Sequence, residues 1–414
     1  MLSTPSNTAV AGSQIGDHGI ADGIDEGVLT TFFSETVCDR IACLEHELRG
    51  TPRFHDPLAW RYSVPELAGL DFSPETGRAA CSAARMMEMF RLFGVLSLDL
   101  RDVPGLGHGR ILNSIGSRTQ FLTELRQIAH GKSFVAICIT EEQGGSDLHA
   151  LQTTADRHHN GYTINGTKSY VARLRQADFY IVFAGVHGLE HGLSAFLVRS
   201  GTPGLSISDI HALGLQGISW GTLQLENVHV GLGDRIGGEG QGFSLFSDHF
   251  TYWRCAMAAA AIGCAQAALN RVKQRLHTRY AFSGLIGRFS HLQQEYAVHA
   301  SRLHMAWLLV QDAARRIEGK LPGYMDSAMA KAEAVEAAIA AVQWAMLVHG
   351  AYGYSVEAGL EKRHRDLLGL RIADGTTDVL RGQVARGLLG DELYALSLGR
   401  DVPPRNSIKE RRLW

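Results

Sequence analysis

Residues 371–383 read RIADGTTDVLRGQ. One carboxylate, Asp374, stands there before a glycine and two threonines, between flanks at 368–372 and 379–389 that have helical spacing. An aspartate in that place can cap the second helix through its side-chain oxygen. It can equally act as a general base, taking a proton from a carbon acid when its position and pKa suit. The two roles are compatible, because a helix N-terminus lowers a carboxyl pKa and keeps it ionised. A second stretch, ITEEQGGSD at 139–147, ends a strand in Thr140 and turns through Gly144, Gly145 and Ser146. Its hydroxyls and free backbone N–H groups can hold a polar heterocycle or a phosphate, or it is only a turn.

The elements that position these groups fall into three blocks. From 27 to 132 the spacing is helical: Met87, Phe90, Leu92 and Phe93 mark one stripe, and Ile111, Ile115, Phe121, Leu122, Leu125 and Ile128 another. From 133 to 236 the period shortens, and SFVAICIT, YTINGTKSYV, FYIVFAGV, SAFLVR, GLSISDI and TLQLENVHV read as strands. Asn160-Gly161 and Asn165-Gly166 are turn dipeptides. With no helix between the strands, the block is an antiparallel β-domain, a sandwich or barrel. From 237 to 399 the chain is helical again, with Leu303, Ala306, Val310, Ala313 and Ile317 as a bundle stripe. Ala-rich runs at 256–268 and 328–345 allow close helix approach, and Pro322-Gly323 separates two helices. Residues 1–26 read as a flexible arm and 400–414 as a tail. The fold class is α+β: a helical N-terminal domain, the β-domain, and a C-terminal four-helix bundle.

Composition narrows the function. The 414 residues are 45% apolar and 20% charged, with a net charge of -2, the balance of a soluble globular protein with an ample core. A pI near 6.8 gives no steering towards nucleic acid or an anionic membrane. The N-terminus has no secretory pattern, and no uninterrupted apolar run reads as a membrane span. The six cysteines (Cys38, Cys43, Cys81, Cys138, Cys255 and Cys264) lack CxxC or Cys/His zinc spacing. They read as reduced core residues of a cytoplasmic protein, and no metal site is expected. His158-His159 precedes a turn dipeptide and reads as part of a hairpin.

Several stretches together resemble the acyl-CoA dehydrogenase family of flavoproteins. ITEEQGGSD is similar to that family's T-E-x-x-x-G-S-D loop, and INGTKSYVA (164–172) to its N-G-x-K-x-W-I-T segment. GGEGQGF (237–243) resembles its turn into the C-terminal bundle, and RYAFSGLIGRFSHLQ (279–293) its R-x-x-F-G helix start. Residues 349–390 resemble its G-x-x-G-Y…E…R-D…E-G-T…R close, with Arg365-Asp366 and Asp374-Gly375-Thr376 in register without a gap. The resemblance covers roughly residues 98–390, and the N-terminal domain is trimmed.

The resemblance implies an FAD between the β-domain and the bundle. Thr140, Gly145 and Ser146 would face the ring or its ribityl chain, and Tyr170 would stand for the Trp that stacks on it. Ala172 would lie near N5. Arg279 and Phe282 would reach the FAD of a neighbouring subunit, with the backbone at Gly350, while Thr376 and Asp378 would touch the adenosine end. The chemistry it implies is oxidation of an acyl thioester: Asp374 takes the α-proton and a β-hydride passes to the flavin. A backbone N–H at the base and a ribityl hydroxyl would hold the thioester carbonyl. Ser146, Trp253, Arg254 and Gly375 are the expected substrate contacts, with Arg254 alternatively a bundle ion-pair partner and Trp253 a pocket wall. Arg365 and Asp366 are expected to pair at a helix end.

Departures mark a divergent member. The family's base is Glu, one methylene longer than Asp374, and the alternative position before Arg254 holds Trp253. Ala172 replaces a Thr and Tyr170 a Trp; Leu347 and Ser290 replace glutamines, and Ser283 a glycine. The implied substrate is an acyl-CoA or acyl-carrier-protein thioester, with a short hydroxyacyl group for polyketide extender units as one biosynthetic candidate. An electron-transfer flavoprotein or oxygen would accept the electrons, and a homodimer or homotetramer would form through the bundle. The alternatives are a flavin-dependent monooxygenase on the same fold, or a non-catalytic oligomerising partner.

Overall fold

The computed structural model describes residues 26–49, 55–73, 79, 81–113, 119–189, 192–391 and 393. The expected arm, apart from its last residue, and the tail at 400–414 lie outside them. Helices α1 (Glu26–Leu29), α2 (Glu35–Arg49), α3 (Pro57–Ser63), α4 (Ala83–Leu96) and α5 (Leu122–Ala129) precede the strands. Ser82 starts α4 by accepting the Arg85 N–H at 3.2 Å, and Met87, Phe90 and Phe93 bury its apolar face. The second expected stripe forms only a 3-10 turn at Gly107–Asn113 and the short α5; Ile115 lies outside the described residues.

Strands β1 (Val135–Cys138), β2 (Thr154–His158), β3 (Gly161–Ala172), β4 (Phe179–Val186), β5 (Leu193–Arg199), β6 (Leu205–Asp209), β7 (Trp220–Gly231) and β8 (Arg235–Ile236) form one sheet in the order β6-β7-β3-β2-β4-β5-β8. Two expectations need correction. The sheet is not wholly antiparallel, since one edge of β4 pairs in parallel with β1 along Phe179 to Val182 and with β2 at Gly185 and Val186. Asn165-Gly166 is not a turn but an irregularity inside β3, where the register to β7 shifts. The Asn165 side chain there accepts the Asn227 N–H at 2.7 Å, so pairing overrides the local turn signal. Asn160 does lie in the turn between β2 and β3.

The C-terminal part holds α6 (Gly242–Thr278), a small hairpin of β9 (Tyr280–Ala281) and β10 (Gly284–Leu285), α7 (Ser290–Glu318), α8 (Tyr324–His349), α9 (Leu360–Ile372) and α10 (Thr377–Leu389). Among the described residues it holds five helices. The Ala-rich stretch of α6 lets α4 touch it backbone to backbone. A Cβ on Gly94 would stand 2.1 Å from the Ala260 carbonyl oxygen, and one on Gly263 1.9 Å from that of Arg91. The N-terminal helices and the bundle therefore share a core, which includes Phe90, Phe93, Trp253, Ala260 and Val342. By length and composition α6 and α8 could cross a membrane, contrary to the sequence reading. Here α6 is mostly buried, packed against α4, α7 and α8. Of the six free cysteines, Cys138, Cys255 and Cys264 are core residues, whereas Cys43 is exposed. Among the described residues no group of His, Cys, Asp and Glu side chains could hold a metal ion.

Arg365 and Asp366 do not pair with each other. Arg365 bonds Glu361 at 2.6 Å and the Leu213 carbonyl at 2.6 Å. Asp366 bonds Lys362 at 2.5 Å and accepts the Leu215 N–H at 2.6 Å. Lys362 also meets Asp99 at 2.9 Å, and Asp99 accepts the Gly217 N–H at 3.1 Å. Helix α9 thereby ties all three parts together directly before the Asp374 loop.

Candidate active site

Residues 373–376 connect α9 to α10. The cap of α10 is Thr376, whose hydroxyl accepts the Val379 N–H at 3.3 Å. Asp374 is therefore not the cap, because the threonine two residues on already fills that place. The backbone turns left-handed at Asp374 (φ 61) and at Gly375 (φ 103), a conformation that costs roughly 1 kcal/mol for a side chain but that Asp tolerates better than most. Two buried cations hold it. Lys331 of α8 donates to the Ala373 carbonyl at 2.8 Å and the Gly375 carbonyl at 2.7 Å. Arg254 of α6 donates through Nε to the Asp374 carbonyl at 3.1 Å. Three successive carbonyls are thus fixed, and the Asp374 side chain is left unclaimed by the helix.

Burial raises the Asp374 carboxyl above its ordinary pKa, against the opposing charges of Lys331, Arg173, Arg101 and Arg254. The expected lowering by the helix terminus does not occur. A raised carboxyl pKa makes a stronger base once ionised. Burial brings Lys331 down to about 8, partly offset by Asp374 and reinforced by Arg254.

The ITEEQGGSD loop is built on Glu141. Its buried carboxylate meets Lys168 at 2.6 Å and accepts the Gln152 N–H at 2.6 Å, the Thr153 N–H at 3.0 Å and the Thr153 hydroxyl at 2.6 Å. Burial alone would raise its pKa, but Lys168, Thr153 and Gln152 outweigh that and hold it low. With Glu141 anchored inward, Gly145 and Ser146 are left exposed. Ser169 of β3 donates to the Thr140 carbonyl at 2.9 Å, so the loop and the end of β3 lie side by side. There Tyr170 turns left-handed (φ 60) and stands 47% exposed. Trp220 bonds the Tyr170 carbonyl at 3.0 Å, and the two rings lie 5.4 Å apart at 32°. A Cβ on Gly145 would stand 3.5 Å from the Thr140 side chain, so Thr140, the glycine loop and the Tyr170–Trp220 pair lie together, with backbone and hydroxyl groups beside the rings. That donor set fits a planar, polar heterocycle such as a flavin.

Arg173, the residue after Ala172, carries this face to the base: its guanidinium lies 5.5 Å from the Trp253 ring, and its charge acts on Asp374. Trp253 itself is 1% exposed and packs on His249, His108 and Phe90. It is a wall. Among the described residues Arg254 does not form the alternative ion pair. Besides Asp374 it bonds Gln383 at 3.0 Å and the Tyr324 hydroxyl at 3.4 Å, so its donors serve the protein rather than a ligand. Gly375 backs onto Leu380, which a Cβ would meet at 3.0 Å. Asp378 is exposed on the first turn of α10.

Arg279, Phe282 and Gly350 are not brought to this site. Arg279 follows α6 by 25 residues from Arg254, on the order of 40 Å along the helix. Arg275 bonds the Val348 carbonyl at 2.9 Å and joins that end of α6 to the end of α8 beside Gly350. On the hairpin Phe282 is 82% exposed at φ 51.

Sequence reading missed Lys331, Trp220, Glu141, Lys168, Arg101 and Arg173. A lone lysine on an Ala-rich buried helix is a signal that could have marked Lys331. The arginines join through tertiary contacts alone. His108 and His249 were missed as well; they share a 2.8 Å hydrogen bond between Nδ1 and Nε2 beside Trp253. Burial above all, with nearby arginine charge, lowers both, His249 to about 3.

Profiles of known families match two parts of the chain: the acyl-CoA dehydrogenase middle domain over residues 136–228 and the acyl-CoA dehydrogenase C-terminal domain over 240–389. Acryloyl-CoA reductase (NADH) of Anaerotignum propionicum is 32% identical over 280 residues, 66% of this chain and 71% of that protein. Benzylmalonyl-CoA dehydrogenase of Aromatoleum aromaticum is 32% identical over 314 residues, 75% of this chain and 79% of that protein. The crystal structure of the prolyl acyl carrier protein oxidase AnaB superposes with a TM-score of 0.73 at 24% identity, covering 87% of this chain and 95% of that one.

Proposed function

The chain belongs to the acyl-CoA dehydrogenase family, FAD-dependent oxidoreductases acting on the CH–CH group of acyl thioesters, and from that premise we propose that Asp374 is its catalytic base. The observation that carries the reading is the clamp: Lys331 and Arg254 fix the carbonyls of residues 373–375 and hold Asp374 left-handed, free of any capping role. A backbone held in that form compensates a side chain one methylene shorter than glutamate. Burial then makes the carboxylate more basic.

FAD, when bound, supplies the hydride acceptor. Thr140, Gly145, Ser146, Tyr170 and Ala172 would hold its ring, and Asp374 would receive the α-proton of the acyl chain. Trp253 and Gly375 wall the space between, Ser146 meets the substrate at the loop, and Thr376 and Asp378 lie towards the adenosine end. Arg279, Phe282 and the backbone at Gly350 are too far from Asp374 to serve the same centre, so they serve the FAD of a neighbouring copy in a homodimer or homotetramer. Sedimentation checks this: a strictly monomeric, FAD-saturated protein contradicts the cross-subunit role.

The substrate is a specialised thioester carried by coenzyme A or an acyl carrier protein, with a short hydroxyacyl group as a biosynthetic candidate. The setting is cytoplasmic, and the electron acceptor is an electron-transfer flavoprotein or oxygen. Anaerobic mixing of the FAD-loaded protein with matched acyl-CoA and acyl-carrier-protein thioesters tests the assignment. Flavin bleaching identifies the carrier, and no bleaching with any thioester removes the dehydrogenase reading.

A further inference from the structure

We propose that Gln383 and Tyr324 are positioning residues for the base: they fix the Arg254 guanidinium through uncharged partners, setting where Asp374 stands and leaving the Arg254 charge to act on it. The inference rests on the reading of Asp374 as the base. Arg254 is 2% exposed and directs its three nitrogens at three parts of the chain. Nε donates to the Asp374 carbonyl at 3.1 Å, Nη1 to the side-chain oxygen of Gln383 on α10 at 3.0 Å, and Nη2 to the Tyr324 hydroxyl on α8 at 3.4 Å. The Tyr324 ring also lies against the cation, its centroid 4.7 Å from Cζ. A planar guanidinium held at both Nη atoms has a fixed plane, so the direction of its Nε–H is set as well. The group lies directly against the turn it holds: a Cβ on Gly375 would stand 3.5 Å from Nη2.

Gln383 comes from the helix that follows the base. Thr376 caps α10, and the buried Leu380 marks its inward side. Gln383, three residues further, stands on that same side. The turn that carries Asp374 and the amide that anchors Arg254 are thus one continuous stretch of ten residues, 374–383.

The chemistry of the two holders matters as much as their place. One is an amide and the other a phenol. Asp326, two residues after Tyr324, turns to Arg316 at 3.5 Å instead. A glutamate at 383 would form a buried ion pair and offset the cation. Glutamine keeps the hydrogen bond and leaves the positive charge beside Asp374. Burial raises the Asp374 carboxyl, and Lys331 of α8, Arg173 and Arg101 from the N-terminal side, and Arg254 of α6 act against that rise. Cations placed so favour the ionised form, the only one that accepts a proton.

Three substitutions separate geometry from charge, each on the FAD-loaded protein with a thioester that bleaches the wild-type flavin anaerobically. Gln383→Leu removes the acceptor, and Tyr324→Phe removes the hydroxyl but keeps the ring. Gln383→Glu keeps the acceptor and adds a counter-charge. Flavin reduction is followed from acid pH up to the range in which Lys331 titrates, about 8, and thioester Kd is read from the flavin spectrum. Gln383→Leu is expected to slow reduction by about ten- to a hundredfold, with Kd within about twofold of the wild type. Tyr324→Phe is expected to slow it by about threefold. Gln383→Glu is expected to reduce faster than Gln383→Leu at its plateau, with its pH midpoint raised by about one unit. The Asp374 carboxyl, identified by carbon-13 NMR as the signal missing from Asp374→Asn, should titrate higher in Gln383→Glu by the same amount. A wild-type rate in Gln383→Leu overturns the proposal, as does an unmoved midpoint in Gln383→Glu. Should Gln383→Leu not fold, Tyr324→Phe and the Gln383→Glu midpoint decide. Lost reduction in Asp374→Asn beside unchanged Gln383 variants overturns this inference alone. If Asp374→Asn reduces normally, or no thioester bleaches the flavin, it falls with the reading of the base.

Discussion

Arg254 donates from Nε to the backbone carbonyl of Asp374 at 3.1 Å, and so acts on the carboxylate's position rather than on its charge alone. With Lys331 on the carbonyls either side, it fixes the turn that carries this side chain.

Lys331→Met removes the donor to two part-buried carbonyls. Each unsatisfied group costs about 1–3 kcal/mol, so the melting temperature should fall. Because a misplacement of about 1 Å costs on the order of a hundredfold, flavin reduction should slow by about that factor while FAD remains bound. Stopped-flow reduction beside the FAD-to-protein ratio checks this; an unchanged rate contradicts the positioning role.

Asp374 has a folded-state pKa raised above its unfolded value. The folded protein therefore binds that proton more tightly, and the associated stability is complete below the unfolded pKa and lost as pH rises through the folded one. Asp374→Asn lacks this loss. At pH 7 the variant should be more stable than the wild type, and the difference should shrink as pH falls through the carboxylate range. Denaturant titrations at several pH values measure it. A variant less stable than the wild type at neutral pH contradicts the burial assigned to Asp374.

Glu141 and Lys168 are a buried pair at 2.6 Å. Removing one partner strands the other, at about 3–5 kcal/mol. Glu141→Gln and Lys168→Met should each lower stability and FAD retention, and the double variant Glu141→Leu with Lys168→Met should recover part of the stability but not the loop. Thermal melts and flavin content after gel filtration report the two separately.

Gly263→Ala places a methyl 1.9 Å from the Arg91 carbonyl oxygen. Helices α4 and α6 must separate, at about 1–3 kcal/mol or more. A melting temperature equal to the wild type's contradicts the backbone contact.

The sequence carried the three-part architecture because periodicity changes twice along it, near 133 and 237. It carried the loop at 139–147 and the carboxylate at 374 as candidate chemistry because both stand in short polar stretches between regular elements. It could not show the parallel pairing of β1 and β2 with β4, since pairing direction leaves no local pattern. Asn165-Gly166 misled because two flanking strands impose an extended path on a dipeptide that prefers a turn. Asp374 could be read as a cap as well as a base because it and Thr376 stand at the same helix end, and only coordinates decide which of them caps it. Lys331 disappeared into an Ala-rich average, although the one lysine of such a buried helix has to find a partner. Arg101 and Arg173 lie 72 positions apart and meet only through Asp102.

The most direct test of the central claim is anaerobic flavin reduction in the wild type and Asp374→Asn, using a thioester that bleaches the wild-type flavin. Both proteins are first loaded with FAD to the same extent. Loss of reduction in the variant by about a thousandfold or more, with thioester binding retained, is the result expected of a missing general base. Reduction at the wild-type rate would contradict the account and remove Asp374 from the mechanism.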